Sequence, residues 1–356
     1  MGRVLGTVAR LPLSHAPSLS MTRQRWEPDQ DAIALLTWAG IPWSRGPIPT
    51  ALGLLEPYLR SVGAWMSPRF PEMALRGSLE VPAVWSRQLG DRERSLAWCH
   101  LIDKHAAYLG ACSSLELGID HPRRFDRPRF DARLPGYWRI DVDTSPWELA
   151  LPDPLGRDIS PSARANRERW LTTPTLELCT ELGVELDVRE AWLWPIHRRL
   201  LRPFYACVGR ARRRLEAVLA SQPSDRRRMA ATAALRTLKA VYAALLGGAL
   251  AATRDRKREP RPPWYRPDFR HQVIAKARAN LLRNVLGWAA HGVCVSAVFN
   301  DGVYVLSDQT AAPAAIRLDA GSLGGYSVKQ SWPAARMIGR RGRVVPSLAW
   351  GEDDAA

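Results

Sequence analysis

The sequence predicts an α+β fold, and three stretches predict it. Residues 95–115 (SLAWCHLIDKHAAYLGACSSL) run apolar into a single acid, Asp103, and then turn helical, with Tyr108 five positions on. Residues 195–250 hold two long helical patterns joined by the polar SQPSD at 221–225. In VCVSAVFNDGVYVLSD, two alternating apolar runs flank Asn300-Asp301-Gly302, a hairpin signature. A strand that ends on a carboxylate and leads into a helix bearing an aromatic suits a cation and a nucleotide. The acid holds the cation at the strand end, and the ring lies over the sugar.

The chain in order fills in the rest. Residues 1–30 have two clusters of polar residues, scattered prolines and no period; without a continuous apolar core they predict no signal peptide, and Met21 is an alternative start. Residues 29–65 carry short helical patterns cut by Pro and Gly, so residues 1–94 read as a mostly helical region lying over the main domain. A basic, Pro-rich loop at 121–136 precedes YWRIDV, which alternates as a strand. Asp141 and Asp143 form a D-x-D that a metal could use, although outward acids on a strand explain it more simply. Thr173-Pro174 starts a helix that Gly183 stops, and residues 184–194 alternate again.

The helical hairpin is rich in arginine, including Arg198, Arg199, Arg202, Arg210, Arg213 and Arg214. Residues 253–263 are charged and proline-broken, a plausible hinge. Residues 264–292 then read as an amphipathic helix. Ile274, Ala277, Leu281, Leu282 and Val285 share a face, and Lys276, Arg278 and Arg283 surround it. Short strands and basic loops with Lys329 follow, and the acidic tip should fray. No internal repeat and no G-x-x-x-x-G-K-[ST] phosphate loop is present.

Composition narrows the class. Lys and Arg number 51 against 35 acids, a net charge of +16, which suits a polyanionic partner because neutralised phosphates release counterions. Five scattered cysteines without a C-x-x-C argue against a zinc ribbon or a disulfide framework and fit a reduced cytoplasm. No uncharged apolar run of membrane-spanning length occurs, so no membrane partner is expected.

The order of these parts resembles the palm and fingers of family B DNA polymerases, nearest the protein-primed kind of phages and linear plasmids. Asp103-Lys104-His105-Ala106-Ala107-Tyr108 resembles the first family motif, D-x-x-S-L-Y, with Ala106 in place of Ser. Lys239 through Gly247 is similar to K-x-x-x-N-S-x-Y-G, with Ala243, Ala244 and Leu246 replacing Asn, Ser and Tyr. Ile274-Ala275-Lys276-Ala277-Arg278 resembles the helix I-T-A-x-A-R, and residues 299–305 sit where Y-x-D-T-D-S belongs. Asp301 then matches the second acid of that motif and Phe299 takes the place of the first. Leu323-Gly324-Gly325-Tyr326 is similar to the segment that follows. The likeness spans residues 95–335, with no room for a proofreading domain before it.

The resemblance implies a palm, an antiparallel sheet with helices, carrying a two-helix fingers insertion. It divides the chain into a palm at 95–190, fingers at 191–250, a second palm part at 251–335 and a tail at 336–356. It implies DNA as partner, deoxynucleoside triphosphates as substrates and Mg²⁺ or Mn²⁺ held by Asp103 and Asp301. It also implies a role in replicating a plasmid, phage, other mobile element or chromosome end, with a terminal or replication protein beside it. Tyr108 would stack under the incoming sugar and Lys239 would hold the triphosphate. Arg213 or Arg214 would add a bidentate phosphate clamp. Lys276, Arg278 and Lys329 would contact DNA, and Trp264 and Tyr265 would stack on bases. Each residue also has a plainer reading: Asp103 as a helix cap, Tyr108 as core, Lys239 as a solvated side chain, Asp301 as a turn residue. A catalytically inactive, DNA-binding descendant of the fold is the alternative.

Overall fold

The computed structural model describes residues 28–66, 68–75, 79–80, 82–141, 151–155, 168–251, 264–319 and 321–346. Residues 1–27, Asp143, the hinge at 253–263 and the acidic tip lie outside them.

Asp29 caps the first helix, α1 (Gln30–Ala39), by accepting from the Ala32 amide at 2.7 Å. Then come α2 (Pro47–Ser61), β1 (Ala83–Ser86), α3 (Asp91–Arg94), β2 (Trp98–Lys104) and α4 (Ala107–Ala111). Next are β3 (Leu117–Gly118), β4 (Arg123–Asp126), β5 (Gly136–Asp141), β6 (Glu168–Thr172), α5 (Thr173–Glu181), β7 (Asp187–Leu193) and β8 (His197–Arg198). The hairpin α6 (Arg202–Ala220) and α7 (Asp225–Gly247) leads to α8 (Pro267–Ala290), β9 (Cys294–Asn300), β10 (Gly302–Ser307), β11 (Tyr326–Pro333) and α9 (Ala334–Met337).

The main sheet has the order β1-β9-β10-β2-β11 and is antiparallel throughout. Alternation along β2 separates its faces. Cys99 and Leu101 join Ala297, Tyr304, Leu306 and Trp332 on one side. Ile102 joins Val298, Val303 and Val305 on the other, against Leu281, Val285 and Trp288 of α8. A second sheet, β4-β7-β5-β6, carries α5, and β3 pairs with β8. The fold is thus α+β, with an antiparallel palm-like sheet and a two-helix insertion.

α1 and α2 do not spread over the palm. They pack on α6 and α7, where Leu36, Leu55 and Leu59 meet Phe204, Leu215, Leu238 and Val241. β1, from the same N-terminal stretch, adds the edge strand of the main sheet. By length and composition α7 alone among the described helices could cross a membrane, and here it packs in this helical core.

α8 departs from the expected one-faced amphipathic helix. It is buried on most of its circumference and ties three layers by polar contacts. The Tyr137 hydroxyl and His271 Nδ1 lie 3.0 Å apart, and Gln272 Nε2 donates to the Gly136 carbonyl at 3.1 Å. Lys276 Nζ donates to Glu177 at 3.0 Å, and Arg283 binds Glu181 at 2.7 Å. Arg278 reaches Glu80 at 2.6 Å and Thr175 at 2.8 Å. Lys276 and Arg278 are therefore internal ion-pair partners in place of the expected DNA contacts, because acids from α5 and from position 80 converge on the helix. Trp264 and Tyr265 are likewise turned inward: Trp264 lies 6.3 Å from Trp65 and Tyr265 stands edge-on to Phe70 at 6.2 Å.

The Arg278–Glu80 pair is 9% and 0% exposed, and Glu80 also accepts from Thr172 and Thr175. Removing the cation leaves a buried carboxylate without its counter-charge, so Arg278→Ala should lose about 3–5 kcal/mol in a urea titration. A loss under about 1 kcal/mol, with weakened DNA binding, would return Arg278 to the nucleic-acid interface.

Candidate active site

β2 delivers Asp103 to the end of the main sheet, between two neighbours. In register it faces Gly302 of β10 and Ser327 of β11. The β9–β10 turn is two residues, Asn300-Asp301, with Asn300 at φ +58°, the left-handed geometry that tight hairpins use. Gly302 sits where a Cβ would come within 2.9 Å of Leu101, so a side chain there would push the turn away from β2. The Lys104 amide donates to the Asp301 carbonyl at 3.3 Å, which fixes the turn against the end of β2. The two acids thus meet from positions far apart in sequence.

Asp103 does not cap α4. The cap position is Ala106, held at φ +49° with no side-chain hydrogen bond. His105 is anchored instead to the loop before β11: its amide donates to Gly325 O at 2.8 Å and its carbonyl accepts from Gly324 N at 2.7 Å.

Electrostatics report which groups share this space. Asp301 is raised to about 6, first by burial and then by the Asp103 charge, while Lys329 and Lys239 pull it down. Tyr108 is pushed well up by burial, with Asp301 adding to the rise and Arg270 and Arg278 opposing it. Tyr242 is pushed up to about 12 by burial, Arg212 lowering it and both Asp301 and Asp103 raising it. His105 is pushed down by burial and by Arg212, against Asp103.

Asp103, Asp301, Lys239, Lys329 and Tyr108 are therefore brought together. Tyr108 is not an open shelf, however. It packs against the helical core and lines a cavity of about 10 Å³ with Asp301, Ala277 and Leu281, room for about one water. Arg214 is turned away, donating to the Trp38 and Ala39 carbonyls at 3.4 Å, where the end of α1 leaves backbone acceptors. Arg213 is exposed, its guanidinium lying along α6 beside Gly209. Arg212, on the adjoining face, acts on His105 and Tyr242 and pairs with Glu216 at 2.6 Å. Asp141 binds Arg189 at 2.6 Å on the second sheet, as an outward strand acid does.

Sequence reading missed Tyr242, Arg212 and His105. Tyr242 carried a signal: it lies three residues after Lys239, the spacing that puts two side chains on one helix face. Arg212 had none, because a run of three arginines does not tell which one faces inward.

Two carboxylates, one of which is raised by burial and by the charge of the other, fit a hard divalent cation, which would relieve their repulsion. No cluster of three or more metal-ligating side chains occurs among the described residues. The residue opposite Gly302 on β9 is Phe299, partly buried against the Cys99 and Tyr304 side of the sheet.

No family model matches the sequence, and no curated protein matches it. Solved structures do. Phi29 DNA polymerase complexed with primer-template DNA superposes with a TM-score of 0.53 and 13% identity, covering 85% of this chain and 55% of that one. The same polymerase complexed with single-stranded DNA gives 0.51 and 14%, covering 84% and 54%. The chain has a DNA polymerase-like fold and spans about half the length of those polymerases.

The Asp301 penalty can be measured. Its carboxyl is raised in the folded state, so stability is fullest near pH 4 and is lost as pH rises through about 6. At pH 7 Asp301→Asn should stabilise the metal-free protein by on the order of 2 kcal/mol, a gain that vanishes near pH 4. Mg²⁺ should raise the melting temperature of the unsubstituted protein and not of the variant. A gain over the unsubstituted protein no larger at pH 7 than at pH 4 would place Asp301 in solvent.

Proposed function

We propose that the protein binds DNA and transfers deoxynucleotides to a primer end, using Asp103 and Asp301 with a divalent cation. One observation carries this reading: the last strand turn sets Asp301 against the end of β2 beside Asp103, with Lys239 and Lys329 acting on the same carboxylate. Convergence of acids from distant strands is how a phosphoryl-transfer centre is built, and the net charge of +16 suits a phosphate backbone.

A bound Mg²⁺ or Mn²⁺ would lower the pKa of the attacking hydroxyl and neutralise phosphate charge. The chain's own groups do the rest. Asp103 and Asp301 would hold the cation. Lys239, exposed on α7, neutralises charge that develops on the leaving phosphates. Lys329, at the bulge in β11, offers a second cation that acts on Asp301. Tyr108 lines the 10 Å³ cavity beside Asp301, which must widen to admit a sugar.

The second reading is a DNA-binding protein of this fold without catalysis, acting as a replication accessory or end-binding factor. Phe299 favours it, because an apolar ring stands where the resemblance calls for an acid, and Ala243 and Ala244 remove polar groups from α7.

Primer extension on a templated duplex with Mg²⁺ and then Mn²⁺ tests the first reading. Incorporation should fall below detection in Asp103→Ala and by about a hundredfold in Lys239→Ala. No extension by folded protein would sink the enzymatic reading. Tight binding that weakens steeply with salt and survives Asp103→Ala would then identify the non-catalytic protein.

A further inference from the structure

The face of the main sheet toward which Asp103 points is closed at its far end by the chain that follows β11. There the Ala334 amide donates to the Ala97 carbonyl at 2.9 Å, just before β2 begins. Met337 and Val344, 0% and 1% exposed, pack with Leu101, Tyr304 and Leu306 on that face. Ile338 and Val344 form a bridge, and residues 339–342 between them make a tight turn, the Gly342 amide donating to the Gly339 carbonyl at 2.9 Å. Two glycines let it close: Gly342 stands at φ +63°, and a Cβ on Gly339 would come within 2.8 Å of Val345. The Leu89 amide donates to the Gly342 carbonyl at 2.8 Å and ties the turn to the loop before α3.

This turn carries charge with nothing to balance it. Arg340 and Arg341 form its tip, and Arg336 and Arg343 flank it. All four are exposed, and no acid occurs between residues 334 and 346. Their side chains make no ion pair and no hydrogen bond among the described residues. The acids of neighbouring α3 are committed elsewhere, Asp91 to Arg94 and Glu93 to Arg87. A solvated run of arginines needs no fixed backbone. Here buried apolar anchors and a glycine-dependent turn hold adjacent guanidinium groups on a rigid mount, which lowers the ordering cost of binding an anion.

Adjacent arginines suit phosphate oxygens. Position says which phosphates. Asp103 and Ala97 are separated by the length of β2, about 20 Å at the rise of a strand. DNA advances about 3.4 Å per step, so about six base pairs span that distance. We infer that Arg340 and Arg341, with Arg336 and Arg343 beside them, grip the phosphate backbone of duplex DNA about six base pairs behind a primer end held at Asp103. The inference rests on the reading of the carboxylate centre as the place of a primer end, and adds to it a second contact at the opposite end of the sheet.

Fluorescence anisotropy tests it, with primer–templates of equal overhang and a duplex of about four or about twelve base pairs. The unsubstituted protein should bind the longer duplex at least tenfold more tightly. The double variant Arg340→Gln, Arg341→Gln should lose that increment, and its salt slope on the longer duplex should fall by about two. Primer extension measured in parallel reads the centre separately: an increment lost in a protein that extends no primer would sink the catalytic reading and sustain this one. Equal affinity of the unsubstituted protein for both lengths, an equal loss at both lengths in the variant, or no loss at all would overturn the inference. An affinity for the longer duplex that the double variant leaves unchanged, and that removal of residues 351–356 raises, would make the acidic tip the occupant of the turn and overturn it as well.

Discussion

Everything in this molecule leans on α8. Its polar side chains reach Gly136 and Tyr137 on the second sheet, Glu177 and Glu181 on α5, and Glu80 upstream of β1. Its apolar side chains fill the back of the main sheet. At its start Arg266 is buried at 1% exposure, bound to Asp268 at 2.7 Å and lying 3.7 Å over the Phe269 ring. Buried ionic contacts of this kind contribute little net stability, since desolvation offsets attraction. They do define a single arrangement, because any slip of the helix by one turn strands several charges at once. The position of the β9–β10 turn, which follows directly from this helix, depends on that fixity.

Much of the centre was legible in the sequence. An apolar run ending on Asp103, a turn signal at Asn300-Asp301-Gly302 and a lysine on the second hairpin helix are local patterns, and local patterns map onto strand ends, turns and helix faces. Lys276 and Arg278 were illegible for the opposite reason. Their partners lie 99 and 198 residues away, and a basic residue beside an apolar stripe looks the same whether water or an acid awaits it. Arg214 was misread for a similar cause: it serves carbonyls 175 and 176 residues upstream. The N-terminal helices gave their own existence away but not their seat on α6 and α7, since nothing in an apolar face names its partner.

The centre is crowded with mutual adjustment. One carboxylate disfavours ionisation of the other, while lysines from α7 and β11 favour it. α1 and α2 brace the hairpin that presents Lys239, so the distance from that cation to the strand turn is set by packing far from the sheet. A protein of this size buries enough apolar surface to hold such strain in place. Ala106, in the left-handed region at the entrance to α4, is another sign of it.

Phe299 ties the site to the packing of the sheet behind it. Its ring belongs to the apolar group of Leu101, Tyr304 and Leu306, on the side of the sheet toward which Asp103 points. An acid substituted there would strip packing from that group and set a third negative charge beside two that already repel. Either change alone lowers stability, so the packing of the sheet and the charge of the strand turn constrain the same position. What charge the strand end can carry is therefore decided partly behind it, by the apolar side chains that hold the ring in place.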